Sequence, residues 1–196
     1  MAGMPMDDTL RMLAAKAGDM AAFEGLVLDY QRPLVAFFDR LLHNGPLAEE
    51  FAQEVFCRLY QCREDYEPKA SFQSYLYRIA KNLWIDHVRH RAAGPRILSM
   101  DAPMTPEAEA PLQAALAGRE PGPAAGLEAE ERAVAVRSAV DALPERLRLV
   151  FVMGEGQGLS YVEIGETLGI PVGTVKSRMH AAVLQLRTAL AGVVEA

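Results

Sequence analysis

One stretch decides the fold of the C-terminal half of the chain, residues 160–178, which read SYVEIGETLGIPVGTVKSR. Ser160 and Glu163 have the spacing of a capping box, in which both side chains accept hydrogen bonds from free backbone N–H groups at a helix start. Gly169 suits the left-handed residue that closes a helix, and Pro171 is favoured where the next helix begins. The stretch therefore predicts two helices joined by a very short turn.

These two helices are predicted to cross sharply, because so few residues connect them. Gly165 leaves room where the second helix approaches the first. The apolar residues that would fill the angle between the helices are Ile164, Leu168, Ile170 and Val175. A small residue, a glycine turn and an apolar wedge are the features of a helix-turn-helix.

The exposed face of the second helix is predicted to carry cations and hydroxyls. Its residues are Thr174, Lys176, Ser177, Arg178 and His180. Arginine and lysine reach phosphates or the O6/N7 edge of guanine, and hydroxyls bond to phosphate. A plain helical hairpin with a solvated charged face would carry the same residue types. Because the short turn and the basic face coincide, DNA binding is the favoured interpretation.

Composition excludes several classes of protein. The chain has 196 residues, of which 51% are hydrophobic and 23% charged, too apolar for disorder throughout. It lacks a run of about 18 apolar residues that could span a membrane, and Asp7 and Asp8 near the N-terminus argue against a secretory signal.

A disulfide between Cys57 and Cys62 is sterically implausible on one helix, so we expect reduced thiols and a cytoplasmic protein. The formal net charge of −6 says nothing about how charge is distributed.

The composition changes abruptly after the first half of the chain. Residues 92–126 hold six of the twelve prolines, four glycines and no aromatic residue, which predicts a flexible linker over 94–127. On both sides apolar residues recur at intervals of three and four, which predicts helices. We therefore expect an all-α protein with two small helical domains, 1–93 and 128–196.

Breaks between the predicted helices are placed at glycines and prolines, including Pro33. The expected helices are 20–28, 33–42, 46–60, 71–91, 128–142, 144–153, 160–168 and 172–190.

Residues 154–158, GEGQG, lack the lysine of a P-loop and are interpreted as a flexible turn. The cysteines and histidines lack zinc-finger spacing, so we expect no metal, no cofactor and no catalytic site.

Charge is segregated in the N-terminal half. Residues 46–67 hold six acids and two bases, whereas residues 68–91 hold five bases and one acid. On the acidic helix, the residues expected to face inward are Leu47, Phe51, Val55, Leu59 and Cys62. Those left outside are Glu50, Gln53, Glu54 and Arg58. An ordinary solvent-exposed helix face without a binding role would have the same pattern of residues. From this helix alone, that is the favoured explanation.

The basic helix combines aromatic rings with cations. Proteins use both in single-strand recognition, because bases stack on the rings and the cations neutralise phosphates. Its expected buried stripe is Leu76, Ile79, Ala80 and Leu83. The candidates for exposure are Tyr75, Arg78, Asn82, Trp84, Asp86 and Arg89. The residue types leave open whether Tyr75, Tyr77 and Trp84 belong to the core instead.

Six segments resemble the extracytoplasmic-function group of sigma factors in the sigma-70 family. Similar to region 4 are 143–146 (LPER), 158–164 (GLSYVEI) and 169–178 (GIPVGTVKSR). Similar to region 2 are 18–23 (GDMAAF), 48–56 (AEEFAQEVF) and 70–83 (ASFQSYLYRIAKNL). The resemblance implies a promoter-specificity subunit that needs core RNA polymerase.

The resemblance also implies a role for each group of residues. Region 4 would read the −35 element, with Lys176, Ser177, Arg178 and His180 as readers and Thr174 on the DNA backbone. Region 2 would bind the opened −10 element and a flipped base through Lys69, Ser71, Tyr75, Arg78 and Asn82, with Arg89 and Arg91 on the backbone. The polymerase-docking residues would be Glu50, Gln53, Glu54 and Arg58.

The implied partners are core RNA polymerase, through its β′ clamp helices and β flap, promoter DNA and an anti-sigma factor. The alternative from the residues alone is a helix-turn-helix regulator that binds duplex DNA without polymerase. The two differ in whether the chain binds core polymerase and initiates transcription, or binds an operator alone.

Overall fold

The structure is a computed structural model that describes residues 7–91 and 125–194. Its helices are α1 (Asp8–Lys16), α2 (Met20–Leu42), α3 (Gly45–Gln61), α4 (Phe72–Arg91), α5 (Ala125–Ala142), α6 (Glu145–Phe151), α7 (Tyr161–Leu168) and α8 (Val172–Val194). A 3₁₀ turn covers Arg63–Asp65 and a π-helical turn covers Val152–Gly156. The all-α prediction is confirmed over these residues. Residues 94–124 of the predicted linker lie outside the described residues. Helix α5 begins at Ala125, within the last residues of the predicted linker.

The prediction of a break at Pro33 is wrong, because α2 runs through it from Met20 to Leu42. A proline inside a helix removes one hydrogen bond and costs about 3 kcal/mol. Leu26 and Leu34, on either side of Pro33, are fully buried, as are Phe37 and Phe38. Burying each such side chain contributes about 1.5–3 kcal/mol, so the continuous apolar face outweighs the proline.

Helix α1 was not predicted from the sequence. Asp7 caps it by accepting a hydrogen bond from the Thr9 amide, and Met12 and Ala15 are fully buried. Its apolar stripe is too short to show a clear period, so its cap is the only strong local signal.

The core of the N-terminal half is formed by α2, α3 and α4. Phe37 packs edge-on against Phe38 and Tyr77, with ring centroids 5.2 and 5.3 Å apart. Trp84 and Tyr77 are 1% exposed, so both belong to the core, the alternative that the sequence had left open. Cys62, expected to face inward, is exposed because α3 ends at Gln61 and its periodicity ends there too.

The predicted helix-turn-helix is confirmed in its local geometry. Ser160 and Glu163 form the capping box, and Gly169 closes α7 with a φ of 68°. A Cβ added at Gly165 would lie 2.9 Å from the backbone oxygen of Ile170. The absent side chain therefore lets the turn fold back against α7, and Val175 of α8 is fully buried behind it.

None of the described helices combines the length and the apolar run that crossing a bilayer requires.

The close approach at Gly165 makes one substitution diagnostic. Gly165→Ala should destabilise the C-terminal half by about 1–3 kcal/mol, because the turn must move away from the new methyl group. The matched control is Gly173→Ala in α8, where an added Cβ meets nothing within 4 Å. Urea unfolding followed by circular dichroism measures both, and equal stabilities for the two variants would contradict the packing described.

Candidate nucleic-acid interface

The predicted −10 residues lie together where the loop after α3 meets the first turns of α4. A cleft there is lined by Asp65, Glu67, Lys69, Ala70, Ser74, Tyr75, Arg78 and Glu166. Lys69, Arg78 and Asn82 are exposed, and Ser71 and Tyr75 are half-buried. The structure therefore brings Lys69, Tyr75 and Arg78 together in one cleft. Arg89 is exposed further along α4, and the surroundings of Arg91 lie outside the described residues.

Tyr75 is held by its neighbours in this cleft. Its ring packs edge-on against Tyr66, with the ring centroids 5.0 Å apart, and the guanidinium of Arg78 lies 5.1 Å from its centroid. Partial burial raises the pKa of Tyr75, with a smaller contribution from Cys62, and Arg78 opposes the rise. The phenol is therefore neutral at physiological pH and can stack or donate a hydrogen bond.

Cations continue along the same helix. Lys81 is half-buried, one turn after Arg78. Burial lowers the pKa of Lys81, and the charge of Arg78 lowers it further. A phosphate placed between the two side chains would relieve that repulsion, so the pair suits an anionic strand.

Sequence reasoning missed that α7 packs against this surface. Ser71 Oγ donates to Glu163 Oε1 at 3.1 Å, and Ser74 Oγ donates to Glu166 Oε2 at 2.9 Å. Thr167 Oγ1 donates to the backbone oxygen of Ser74 at 3.3 Å, a contact that is buried. Hydroxyls and carboxylates in distant segments carry no spacing signal, so the pairing has no trace in the sequence.

A second contact joins the end of α2 to the π-helical turn. The side chain of Arg40 donates to the carbonyl of Gly156 at 3.0 Å, and the Gln157 amide lies 2.8 Å from the hydroxyl of Tyr77. With its nitrogen facing Tyr77, that amide also accepts from Arg40. Residues 152–156 form a regular turn packed on α2, which corrects the interpretation of 154–158 as a flexible turn.

His43 adds a third contact between the halves. Its Nε2 lies 2.7 Å from Asp141 Oδ1 of α5. His43 ends α2 with a φ of 48°, in the left-handed region that non-glycine residues seldom adopt. We call the contacts of α7 with α4, of Gln157 with Tyr77, of Arg40 with Gly156 and of His43 with Asp141 the seam.

The predicted polymerase-docking residues lie on α3. Glu50 and Gln53 are exposed, and Glu54 and Arg58 are half-buried. Arg58 Nε donates to Glu54 Oε1 at 2.7 Å, one turn away. A partly exposed pair of this kind contributes little to stability, so both groups can exchange partners at a docking surface.

The predicted −35 residues all lie on α8, but they differ in how far their side chains are exposed to solvent. Lys176 and His180 are exposed, whereas Thr174 and Ser177 are half-buried and the Ser177 hydroxyl donates to Thr174 O at 3.0 Å. Arg178 is 3% exposed, so the expectation that it is exposed is wrong for this structure. The residues one turn to either side of Arg178, Val175 and Ala182, are fully buried, and the helical period places Arg178 on their inward face.

Two family models match the chain. Residues 26–93 match Sigma-70 region 2, and residues 133–186 match Sigma-70, region 4. The first match covers α3 and α4, and the second covers the helix-turn-helix.

Relatives of known function span almost the whole chain. The ECF RNA polymerase sigma factor SigW of Bacillus subtilis is 32% identical over 179 residues, which cover 87% of this chain and 89% of SigW. The ECF RNA polymerase sigma factor SigE of Mycolicibacterium smegmatis is 33% identical over 177 residues, 89% of this chain but 65% of SigE. The ECF RNA polymerase sigma-E factor of Escherichia coli is 29% identical over 177 residues, 90% of this chain and 91% of that protein.

Solved structures share the fold. CnrH, determined in complex with the cytosolic domain of CnrY, has a TM-score of 0.70 at 21% identity and covers 94% of this chain and 97% of its own. The sigma factor RpoE of Bartonella quintana, determined with the anti-sigma factor NepR, has a TM-score of 0.60 at 21% identity, with 86% and 96% covered.

The carboxylate of Glu163 generates a prediction about pH. Partial burial alone would raise its pKa, but hydrogen bonds from the Ser160 amide, the Ser160 hydroxyl and the Ser71 hydroxyl outweigh burial and lower it. A lowered folded-state pKa stabilises the fold above the unfolded-state pKa, and this contribution is lost as pH falls through the folded-state value.

We therefore expect Glu163→Gln, which keeps a capping-box side chain, to cost roughly 0.5 kcal/mol at neutral pH, since the site is partly exposed and screened. The difference from the unmodified chain should vanish in acid. Unfolding measured at several pH values tests this, and a difference that stays constant with pH would refute the role given to the charge.

Proposed function

The chain belongs to the extracytoplasmic-function group of the sigma-70 family, and we propose that it divides promoter recognition between its two halves. As a sigma factor it acts with core RNA polymerase to direct promoter-specific initiation. The observation that carries the proposal is the presence of both matched regions, in family order, on one chain. We assign 1–93 to region 2, 94–127 to a linker and 128–196 to region 4. A regulator that works without polymerase is not favoured.

We assign the −10 element to the surface between the loop after α3 and the first turns of α4. Lys69, Ser71, Tyr75, Arg78 and Asn82 would hold the opened strand and a flipped base, with Arg89 and Arg91 on the backbone. The support is the ring of Tyr75 beside the Arg78 guanidinium, which offers stacking and charge together. Extruding a base costs a few kcal/mol, which such contacts offset.

We assign the −35 element to α8. Lys176 and His180 are exposed and can reach base edges or phosphates directly. Thr174, Ser177 and Arg178 belong to the same proposed surface, and Arg178 must leave its buried position to read DNA. Arg178 would therefore join the other residues of this surface only after a local rearrangement of region 4.

We assign polymerase docking to the outer face of α3, through Glu50, Gln53, Glu54 and Arg58, against the β′ clamp helices, with the β flap as the partner of region 4. An anti-sigma factor is a further proposed partner, as in the Bartonella quintana complex. The relatives are sigma factors, and we infer that this chain has no enzymatic activity of its own and works in the cytoplasm beside polymerase.

Transcription by purified core polymerase on a library of randomised promoters tests the function. Run-off products that depend on the added chain, and that share two sequence elements, are expected. Tight operator binding without polymerase, together with no product in its presence, would contradict the proposal.

Charge reversal on α3 should separate docking from DNA recognition. Glu50→Lys with Glu54→Lys should weaken binding to core polymerase at least about tenfold, because two charges at a docking surface change sign. Glu24→Lys, exposed on α2, is the control for each single reversal, Glu50→Lys or Glu54→Lys, because each changes the net charge equally. Binding is measured by fluorescence anisotropy, and equal losses in both variants would contradict the assignment.

Neutral substitutions on α8 should have the opposite effect. Lys176→Ala with His180→Ala should weaken use of the −35 element by about 1–3 kcal/mol, because base-edge and phosphate contacts are lost. Binding to core polymerase should not change. Run-off yields from promoters with and without the selected −35 element measure the effect, and loss of polymerase binding would place these residues elsewhere.

A further inference from the structure

A second cleft lies between α2, the first turns of α4 and the π-helical turn, away from the surfaces assigned to DNA and polymerase. Its volume is about 470 Å³, and sites for small organic molecules measure roughly 300–1,000 Å³. The residues that line it are Tyr30, Arg32, Pro33, Ala36, Arg40, Gln73, Tyr77, Gly156 and Gln157. Two of these residues are arginines and none of them is acidic, so the lining suits an anion.

The two arginines of this cleft lie two turns apart on α2. Ala36 is four residues from Arg32 and four from Arg40, so the three residues share one side of the helix. Both arginines are exposed, and the small side chain of Ala36 leaves room for their long side chains to converge above it. Guanidinium groups bind phosphate oxygens through paired, charge-assisted hydrogen bonds. The pair can therefore hold one phosphate group or two linked ones.

Arg40 is held in place by the π-helical turn. Its Nη1 donates to the carbonyl of Gly156 at 3.0 Å. A Cβ added at Gly156 would lie 3.1 Å from the same nitrogen, so the missing side chain lets the guanidinium lie close against the turn. A guanidinium carries more N–H donors than this contact uses. Arg40 is thus fixed in position and still able to bind a ligand.

The side chain of Gln157 orders the wall of the cleft. With its nitrogen facing Tyr77, the amide donates to the Tyr77 hydroxyl at 2.8 Å and to the Pro33 carbonyl at 3.1 Å, and it accepts from Arg40 at 3.0 Å. Burial raises the pKa of Tyr77, and the charge of Arg40 opposes the rise. The phenol is therefore neutral, and the guanidinium gives this wall a positive charge.

Two polar side chains of the lining remain for a ligand. Within the part of the chain that the structure describes, the side chains of Arg32 and Gln73 make no hydrogen bond or ion pair. Gln73 is half-buried, and its amide can both donate and accept. The hydroxyl of Tyr30 instead donates to Asp8 at 2.6 Å, and Asp8 is itself paired with Arg11. The charge of Asp8 is thus balanced by Arg11 and does not cancel that of the cleft.

We propose that this cleft binds a small organic phosphate of the size of a nucleotide. Arg32 and Arg40 would hold its phosphate groups, and the Gln73 amide would hold a polar group at its other end. An inorganic ion would fill a small part of the cleft and leave the amide unused. The site goes beyond the proposed function, because its residues belong to none of the surfaces assigned to DNA or polymerase.

Fluorescence titration with ADP and GDP that carry an N-methylanthraniloyl label tests the proposal. Saturable binding below about 1 mM is expected, with a Tm that rises as nucleotide is added. Arg32→Ala should weaken binding about tenfold, because a charge-assisted contact with phosphate is lost. Gln73→Ala should weaken binding of the nucleotides, whereas binding of inorganic phosphate should not change. Because Arg32 is exposed, the Tm of its variant without ligand should equal that of the unmodified chain.

Two control variants remove the same charge elsewhere. Arg137→Ala changes an exposed residue of α5, and Arg78→Ala changes a residue of the proposed −10 cleft. Both should bind the labelled nucleotides like the unmodified chain. Equal weakening by Arg32→Ala and Arg137→Ala would show attraction by net charge alone and overturn the proposal. Stronger weakening by Arg78→Ala would place the nucleotide on the −10 surface, with the same consequence.

Competition identifies the ligand class. Unlabelled ADP or GDP should displace the probe. Displacement at lower concentration by inorganic phosphate, or by a short single-stranded oligonucleotide, would assign the cleft to an ion or to nucleic acid and overturn the proposal, as would absence of saturable binding. Failure of the proposed function is separate, because it shows as absence of initiation by the unmodified chain with core polymerase.

Discussion

The close approach of the inter-helix turn to Gly165 is the constraint on which the C-terminal half depends. With the Ile170 carbonyl 2.9 Å from where a Cβ would be, only glycine allows the turn to fold so tightly against α7. That turn sets the direction of α8 relative to α7. As a result, Lys176 and His180 face outward on one side, while Glu163 and Glu166 of α7 face α4 on the other. One short helix therefore supports two interfaces.

The hydrogen bonds described between the two halves are made by polar side chains, and the buried apolar residues of both halves belong to one cluster. Serine, threonine and tyrosine hydroxyls, a glutamine amide, three carboxylates, one arginine and one histidine make the described hydrogen bonds of the seam. Water can satisfy such polar groups as well, whereas the apolar side chains of the shared cluster have no such alternative.

Capping and turn signals of the helix-turn-helix predicted its structure correctly, whereas features that depend on tertiary packing were missed. The capping box at Ser160 and the left-handed Gly169 depend only on neighbouring residues, so both were predicted. Continuity through Pro33 and burial of Trp84 depend on what packs over them, which no local pattern records. The residues predicted for the −10 element lie near one another in the structure because they are close in the chain, and their role remains a prediction. The packing of α7 against these residues was missed, because α7 lies about ninety residues away in the chain.

The left-handed conformation of His43 ties the seam to the start of α3. A non-glycine residue pays about 1 kcal/mol for that conformation, and here its ring has Asp141 as a partner only while the halves touch. Asn44, the next residue, caps α3 by accepting from the Leu47 amide. The turn at His43 and Asn44 therefore fixes both the start of α3 and the position of the imidazole beside Asp141. By thermodynamic reciprocity, a change at α3 that alters the stability of this turn alters the contact with Asp141 by the same free energy.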